Sequence, residues 1–281
     1  MIPEEVVLMR WIIQMLRAVT SRYPLNTPRA SILRLLPEIP KDFGEFVGKN
    51  GIRYKRYSAD ADEVSRHLFW FGDFDPWVNT ALKKFSRPGS VAIDIGANIG
   101  ATALVLAHAV GPTGRVICFE PMPPNLECLR ENIAVNGLSW VQVEPVALSD
   151  ADGNLSMELP IGHSGMARVS AGGHFSVPAI TFDEWLGQHP NFDISVCKID
   201  VEGHEREVFT GMKQALSKKL IPAFVFERHR STGIDSDPVL QMLTSYGYRV
   251  LRLEKAFRRV EYTPISEPRR ARPTVDFVAV L

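Results

Sequence analysis

The chain has 281 residues, of which 45% are hydrophobic and 23% charged, and these proportions are ordinary for a folded globular protein. They exclude extended disorder and collagen-like structure. Lys and Arg together number 32, as do Asp and Glu, so the formal net charge is zero, whereas a chain built for bulk nucleic-acid binding is usually basic. Three scattered cysteines are too few for a disulfide framework or a zinc site, which favours a reducing, cytoplasmic location.

The N-terminal segment, residues 1–60, is predicted to be a helical arm that precedes a main domain of residues 61–281. Its apolar stretch from Val6 to Val19 is too short and too interrupted to span a bilayer, which needs about 20 apolar residues. We expect the apolar stripe of this helix to pack on the body of the protein or on another subunit of a homo-oligomer. The alternative is peripheral contact with an anionic membrane, favoured by five arginines and no acid between Arg10 and Pro37.

From residue 90 onward, strand and helix patterns alternate, which predicts a doubly wound α/β sheet with mostly parallel strands. Strands are predicted at 90–95, 115–119, 141–147, 195–199, 223–226, 248–253 and 275–280. Helices are predicted at 101–110, 125–135, 182–186, 205–216 and 238–246. The glycine-rich stretch 150–176 interrupts the alternation and is predicted to form a hairpin or a mobile loop over one end of the sheet.

The segment with the clearest chemistry is Asp94-Ile-Gly-Ala-Asn-Ile-Gly100, which follows the first predicted strand and opens a helix. Gly96 permits a sharp turn and close ligand approach, Asn98 tolerates positive φ, and Gly100 allows close helix packing. Asp94, at the carboxyl end of the strand, can receive a cationic or hydroxyl group. Ligands usually bind at this end of an open α/β sheet, so the turn predicts a ligand site.

A second acid, Glu120, ends the next strand, where a carboxylate can accept hydrogen bonds from both hydroxyls of a ribose. The dinucleotide fingerprint needs three glycines in a G-x-G-x-x-G pattern, and only Gly96 and Gly100 are present. The spacing matches instead the acid-x-Gly-x-x-x-Gly pattern of class I S-adenosylmethionine methyltransferases. An NAD-dependent reductase is therefore the less favoured interpretation.

Over roughly residues 60–280 the sequence resembles the FkbM-type S-adenosylmethionine-dependent methyltransferases. The resemblance is carried by the glycine turn and by FGDFDP at 71–76, Glu120-Pro121, ALSD at 147–150, TFD at 181–183 and KIDVEGHE at 198–205. It implies a class I Rossmann-like sheet of seven strands with an antiparallel hairpin made by the last two. It also implies an O-methyltransferase that acts on a hydroxyl of a polyketide, sugar or glycolipid.

The same resemblance implies S-adenosylmethionine as cofactor and assigns its contacts. The residues expected at the cofactor are Asp75, Asp94, Gly96, Asn98, Gly100, Glu120, Pro121, Ala147 and Leu148. Asp94 is expected to hold the methionine part and Glu120 the ribose, while the backbone of Ala147 and Leu148 borders the adenine. Asp75 stands where the family commonly has glutamate; it is expected either to contact the cofactor's amino group or to act only as a charge at a helix N-terminus.

Asp200, His204 and Glu227 follow later strands at the end of the sheet where the methyl group would emerge. Methyl transfer to a hydroxyl is an in-line displacement in which a base takes or shares the hydroxyl proton. His204, with an ordinary pKa near 6.5, or Glu227 is expected to be that base, and Asp200 to orient the acceptor. A helix-start position without a catalytic role is the alternative for His204.

Two further alternatives remain at this point. Asp200, Glu202 and Glu227 present the oxygen ligands that Mg²⁺ prefers, although metal-free chemistry is favoured. The rival outside enzymes is a degenerate methyltransferase fold that binds a membrane or a protein partner through its N-terminal helix. The Pro-Pro-aromatic tetrad of amino-methylating enzymes is absent, which weighs against nucleic-acid bases and favours a small hydroxyl compound as acceptor.

Overall fold

The computed structural model describes residues 4–22, 29–40, 43–55, 57, 62–160, 163–228, 237–255, 259–267 and 276–281. Its strands are β1 (Glu45–Val47), β2 (Arg53–Lys55), β3 (Val91–Ile95), β4 (Arg115–Phe119), β5 (Val141–Glu144), β6 (Ala147–Ser149), β7 (Gly153–Glu158), β8 (Arg168–Val169), β9 (Phe175–Thr181), β10 (Ile194–Ile199), β11 (Ala223–Glu227), β12 (Arg249–Lys255), β13 (Val260–Pro264) and β14 (Asp276–Val280). Its α-helices are α1 (Glu4–Thr20), α2 (Arg29–Leu33), α3 (Glu63–Phe71), α4 (Pro76–Phe85), α5 (Ala103–Val110), α6 (Pro123–Val135), α7 (Phe182–Gly187), α8 (Glu205–Thr210), α9 (Lys213–Ser217) and α10 (Pro238–Ser245).

The main sheet has the strand order β5-β4-β3-β10-β11-β14-β12-β13. Five neighbouring strands of this sheet are parallel to one another, namely β5, β4, β3, β10 and β11. Strand β14 runs antiparallel to β11 and β12. The chain winds outward on one side of β3 and then returns to its other side at β10. This reversal leaves a crevice at the carboxyl ends of β3 and β10, which is where open α/β sheets bind ligands. The predicted doubly wound α/β class is confirmed.

Side chains that alternate along the strands separate two apolar cores, one on each face of the sheet. In β4, Val116 and Cys118 pack with α5 and α6, whereas Ile117 and Phe119 pack with α7 and α8. This alternation follows from the two-residue period of a strand, and it explains why the buried strands read as continuous apolar runs: helices cover both faces.

Three details of the sheet differ from the prediction. The main sheet has eight described strands rather than seven, because β13 adds an antiparallel edge next to β12. The last two predicted strands do pair antiparallel, but β13 lies between them in the chain. The predicted strand 141–147 ends at Glu144, since Pro145 has no N–H for the ladder, and Ala147 begins a second sheet.

The second sheet accounts for the glycine-rich stretch. It has the order β6-β9-β7-β8, with β7 antiparallel to β9, so the hairpin interpretation of residues 150–176 is confirmed. The predicted helix 205–216 is divided into α8 and α9 at Gly211. A Cβ on Gly211 would lie 2.0 Å from the backbone oxygen of Ser149, so the small sheet presses against this break.

The N-terminal helix α1 lies on the body of the protein through its polar side. Ile13 is 2% exposed, and the Arg17 guanidinium donates hydrogen bonds to the backbone oxygens of Phe69 and Val47, each at 2.8 Å. The predicted apolar stripe faces outward instead: Leu8, Trp11, Ile12, Met15 and Val19 are between 43% and 62% exposed. The expectation that this stripe packs on the body is therefore wrong, and its alternative, packing on another subunit, stays a prediction. Within the described ranges, no helix has both the length and the apolar character needed to cross a membrane.

Candidate active site

A cleft lies at the carboxyl ends of β3, β4 and β10. Seven residues predicted at the cofactor line it, namely Asp75, Gly96, Asn98, Glu120, Pro121, Ala147 and Leu148. All three acceptor candidates, Asp200, His204 and Glu227, line the same cleft. Asp94 and Gly100 are not among its lining residues, and both are buried. The structure thus brings ten of the twelve predicted positions to one surface.

The glycine turn after β3 has the strained geometry that its sequence predicts. Gly96 has φ 75°, Asn98 φ 52° and Gly100 φ 93°, all in the left-handed half of backbone space. A Cβ on Gly96 would lie 1.9 Å from the backbone oxygen of Asp200, so this glycine is required by the neighbouring chain. A Cβ on Gly100 would lie 2.8 Å from methyl carbons of Leu104 and Leu129, which agrees with close packing of the helices.

Asp94 is completely buried, and its carboxylate is held by the protein itself. Its Oδ2 accepts a hydrogen bond from the Thr102 hydroxyl at 2.7 Å, and its Oδ1 lies 3.3 Å from the Lys198 ammonium. Burial raises the pKa of Asp94, and the Lys198 charge opposes that shift. We infer that Asp94 acts on the cleft through Lys198 and the turn.

Lys198 is a site residue whose role the sequence does not reveal directly. Its ammonium donates to the backbone oxygen of Gly96 at 2.8 Å and lies 3.5 Å from Asp200 Oδ2. Burial alone would lower the pKa of Lys198, but the charges of Asp94 and Asp200 raise it above its usual value. Lys198 is the one charged residue in the strand Ile194–Ile199, which was the available signal. Through its ion pairs with Asp94 and Asp200, Lys198 links the carboxyl ends of β3 and β10 at the floor of the cleft.

Glu120 presents a buried carboxylate that the backbone already orients. Its Oε2 accepts from the Asn98 N–H at 2.8 Å, and its Oε1 accepts from the Met122 N–H at 2.9 Å. Burial raises the pKa of Glu120 to about 7, while these amide donors pull it down. Oε1 also accepts from Asn125 Nδ2 at 3.5 Å, whereas Oε2 can accept a further hydrogen bond. This geometry suits a ligand hydroxyl at the cleft.

The cleft also retains buried polar atoms that the protein leaves unsatisfied. Asn125 donates through Nδ2 to the backbone oxygen of Ser164 at 3.2 Å. In the described part of the chain, the Asn125 Oδ1 and the Ser164 hydroxyl have no hydrogen-bond partner, although both residues are buried and line the cleft. Buried polar groups are normally satisfied, so a ligand with donors and acceptors, such as an adenine edge, fits here.

His204 stands just before α8 with both ring nitrogens close to protein groups. Its Nε2 lies 3.0 Å from the Ser149 hydroxyl and its Nδ1 lies 3.6 Å from Glu207 Oε2. These contacts hold the ring against the second sheet. In the turn before it, Glu202 has φ 50°, and the carboxylate that accepts from the Gly203 N–H is that of Glu205, at 2.9 Å. The ring is thus held by Ser149, and nothing in the sequence pattern indicates this contact.

Carboxyl groups gather on the opposite side of the cleft. Burial raises the pKa of Glu227 to about 9, and the negative charges of Asp200, Asp276 and Asp75 add to the shift. Burial likewise raises the pKa of Asp75 to about 7. Asp75 begins α4 with φ 41° and makes no capping hydrogen bond through its side chain. At neutral pH this cluster therefore retains protons that isolated carboxyl groups would lose.

No group of three or more His, Cys, Asp or Glu side chains within the described residues is arranged to hold a metal ion. The acidic residues that the sequence offers for Mg²⁺ do line the cleft, as Asp200, Glu202 and Glu227. In the structure, burial raises the pKa of Glu227, and the negative charges of Asp200 and Glu202 raise it further.

A second cavity adjoins the cleft. The two have six lining residues in common, namely Val64, Phe74, Asp75, Gly165, Glu202 and Glu227. The second cavity is also lined by Arg29 of α2, by Trp77 of α4 and by His163 from the glycine-rich stretch. The sequence analysis did not single out Trp77, because one aromatic residue near a helix start is equally typical of a core position. Asp75 and Glu227 stand where the two cavities meet.

The chain is similar in sequence to a known protein family and to three characterised relatives. A family model described as the methyltransferase FkbM domain matches residues 94–250. The hexuronic acid methyltransferase AglP of Haloferax volcanii is 32% identical over 164 residues, which cover 58% of this chain and 65% of that protein. The 2-O-methyltransferase NoeI of Sinorhizobium fredii is 28% identical, covering 47% and 61%. The 31-O-demethyl-FK506 methyltransferase FkbM of Streptomyces tacrolimicus is 27% identical, covering 59% and 75%. The matches to AglP and NoeI thus span less than two thirds of either relative.

Proposed function

The chain belongs to the FkbM methyltransferase domain family, and we propose that it transfers a methyl group from S-adenosylmethionine to a hydroxyl of a sugar-type acceptor. The observation that supports this most is the junction of two cavities at Asp75 and Glu227. A two-substrate transfer needs one cavity for the donor and one for the acceptor, with a proton-accepting group where they meet.

The cleft fits S-adenosylmethionine by the chemistry of its lining. Glu120 would hold the ribose hydroxyls, and Asn125 and Ser164 have the unsatisfied atoms that an adenine edge would use. The backbone at Gly96 would border the methionine part, held in place by Lys198. When bound, S-adenosylmethionine supplies an electrophilic methyl group on a positively charged sulfur.

The second cavity fits a polyhydroxylated acceptor. Glu202 and Glu227 present carboxyl groups to it, and Trp77 offers an aromatic ring. Buried N–H groups of Trp77 and Arg29 have no hydrogen-bond partner in the described part of the chain. A sugar suits such a lining, since its hydroxyls donate and accept hydrogen bonds while its C–H face packs on aromatic rings. The name of the hexuronic acid methyltransferase AglP points to a sugar acceptor for that relative, and the name of NoeI states that its methyl transfer is to oxygen.

Glu227 is the better candidate for the base in this arrangement. It lines both cavities, whereas His204 lines only the cleft and is held by Ser149. A carboxyl group with a raised pKa is a stronger proton acceptor once it is ionised than an ordinary carboxylate. We assign the removal of the hydroxyl proton to Glu227. Asp200 orients Lys198 and the glycine turn. His204 positions Ser149 and α8.

We expect Glu120→Ala to weaken binding of S-adenosylhomocysteine about 10- to 150-fold, since one charge-assisted hydrogen bond contributes about 1.5–3 kcal/mol. Isothermal titration calorimetry measures this directly. Glu127→Ala, which removes an exposed carboxylate from α6, is the matched control and should bind like the native protein. Equal affinity of the Glu120 variant and the control would remove Glu120 from the donor site.

The acceptor class can be tested with labelled methyl groups. The purified chain is incubated with methyl-labelled S-adenosylmethionine and, separately, with a uronic acid glycoside, a neutral hexose glycoside and a macrolide bearing a free hydroxyl. Label transferred to a sugar oxygen supports the proposal. Label on the macrolide alone would support methyltransferase activity but contradict the assignment of a sugar as acceptor.

A further inference from the structure

The N-terminal helix α1 turns a broad apolar face to solvent. Seven of its large apolar side chains are at least 36% exposed: Leu8, Met9, Trp11, Ile12, Met15, Leu16 and Val19. At 3.6 residues per turn these positions fall within an arc of about 160°. No charged residue lies inside the span from Trp11 to Leu16. Isolated exposed apolar residues are ordinary on a protein surface, but a continuous face of this kind marks an interaction site.

The outward orientation of this face is set by contacts on the opposite side of the helix. The Arg17 guanidinium bonds two backbone oxygens and lies 4.3 Å from the ring centroid of Phe69. The Thr20 hydroxyl donates to the backbone oxygen of Trp70, and Ile13 is buried. Rotation of α1 to bury the apolar face would break these contacts and turn Arg17 away from its backbone partners. The exposed face is therefore built into the packing of the arm.

The arm that carries the face has exposed basic residues and no acid near the face. Arg10 is exposed on the side of α1 opposite the face, Arg22 is exposed directly after the helix, and Arg34 is exposed just after α2. There is no Asp or Glu between Leu8 and Pro37. An apolar helical face with basic neighbours complements an anionic lipid surface, where apolar side chains enter the boundary between headgroups and acyl chains.

The charge of the arm argues against a second copy of the chain as the occupant of the face. Two copies would bring two basic arms together, since no Asp or Glu lies between Leu8 and Pro37. A lipid surface also needs no complementary shape. We propose that α1 docks the protein on anionic membrane surfaces, with its apolar face inserted at the interface.

Vesicle sedimentation of the full chain tests this. The native protein should sediment with vesicles made of equal parts phosphatidylcholine and phosphatidylserine, and about tenfold more weakly with phosphatidylcholine alone. Met15→Asp should weaken the binding to the mixed vesicles by about tenfold or more, because one buried apolar side chain contributes at least that factor. Gln14→Asp is the matched control, since it adds the same charge at an exposed neighbouring position outside the apolar arc.

Each outcome is decisive when S-adenosylhomocysteine binding is measured on the same samples. Loss of vesicle binding in the Met15 variant, with ligand binding and the Gln14 control unchanged, supports the proposal. Failure of the native chain to bind either vesicle overturns it, as does equal loss in the two variants. A native dimer that Met15→Asp converts to a monomer in the absence of lipid would also overturn it and assign the face to self-association. None of these results depends on which acceptor is methylated.

Discussion

Glu227→Gln should lower kcat by about 100- to 10,000-fold, the contribution expected from a positioned base in proton transfer. The substitution keeps the size and the hydrogen-bonding capacity of the side chain but removes its ability to take a proton. Stability at neutral pH should change little, since Glu227 is already mostly protonated there and glutamine is equally uncharged. Steady-state kinetics at saturating S-adenosylmethionine, together with thermal unfolding, measure both effects.

The pH profile separates Glu227 from His204 as the base. The pKa of Glu227 is raised to about 9, so the group is mostly protonated at neutral pH and gains basicity as the pH rises. We expect kcat/KM to increase between about pH 6 and 9, and to lose this limb in Glu227→Gln. His204→Ala should keep the limb and lose less activity. A limb near pH 6–7 that disappears in His204→Ala would return the role of base to His204.

Lys198→Met destabilises the protein by about 3–5 kcal/mol, because it leaves Asp94 buried without a compensating charge. At about 2–4 °C per kcal/mol for a chain of this size, the melting temperature should fall by roughly 10 °C. Lys213→Met, on the exposed side of α9, is the control for the same substitution and should change stability by no more than about 0.5 kcal/mol.

A double variant keeps this prediction testable if Lys198→Met does not fold. Replacing Asp94 with Asn in the same chain removes the charge that Lys198 had balanced, so part of the stability should return. Binding of S-adenosylhomocysteine should stay weak in the double variant, since the backbone of Gly96 has lost its contact with Lys198. If Lys198→Met melts like Lys213→Met, the ion pairs at the floor of the cleft contribute nothing measurable.

Much of the central sheet was predictable because its signals are local. The buried strands are short apolar runs, and the turn from Asp94 to Gly100 contains the residues that its positive φ angles require. Glu120 could be placed by spacing alone, since it ends the neighbouring parallel strand. The end of the third strand was also predictable. Pro145 lacks the N–H that a strand ladder needs, and β5 ends directly before it, although the prediction extended the strand to residue 147.

Features that depend on distant contacts were not predictable. The orientation of α1 follows from Arg17 reaching backbone oxygens about 30 and 52 positions away, which helical periodicity cannot show. The hydrogen bond between His204 and Ser149 joins two sheets, and the pairing of Asp94 with Lys198 joins two strands. In each case the residues were visible in the sequence, but their partners are set by the tertiary structure.

The most direct test of the proposed function is a calorimetric titration of the native chain with S-adenosylhomocysteine and, in parallel, with NAD⁺. Every residue assigned to the donor lies at the cleft or directly behind it, so we expect binding of S-adenosylhomocysteine at micromolar strength or better and no heat with NAD⁺. A chain that gives no heat with S-adenosylhomocysteine but binds NAD⁺ would contradict the proposed function, because the glycine turn and Glu120 would then bind a dinucleotide.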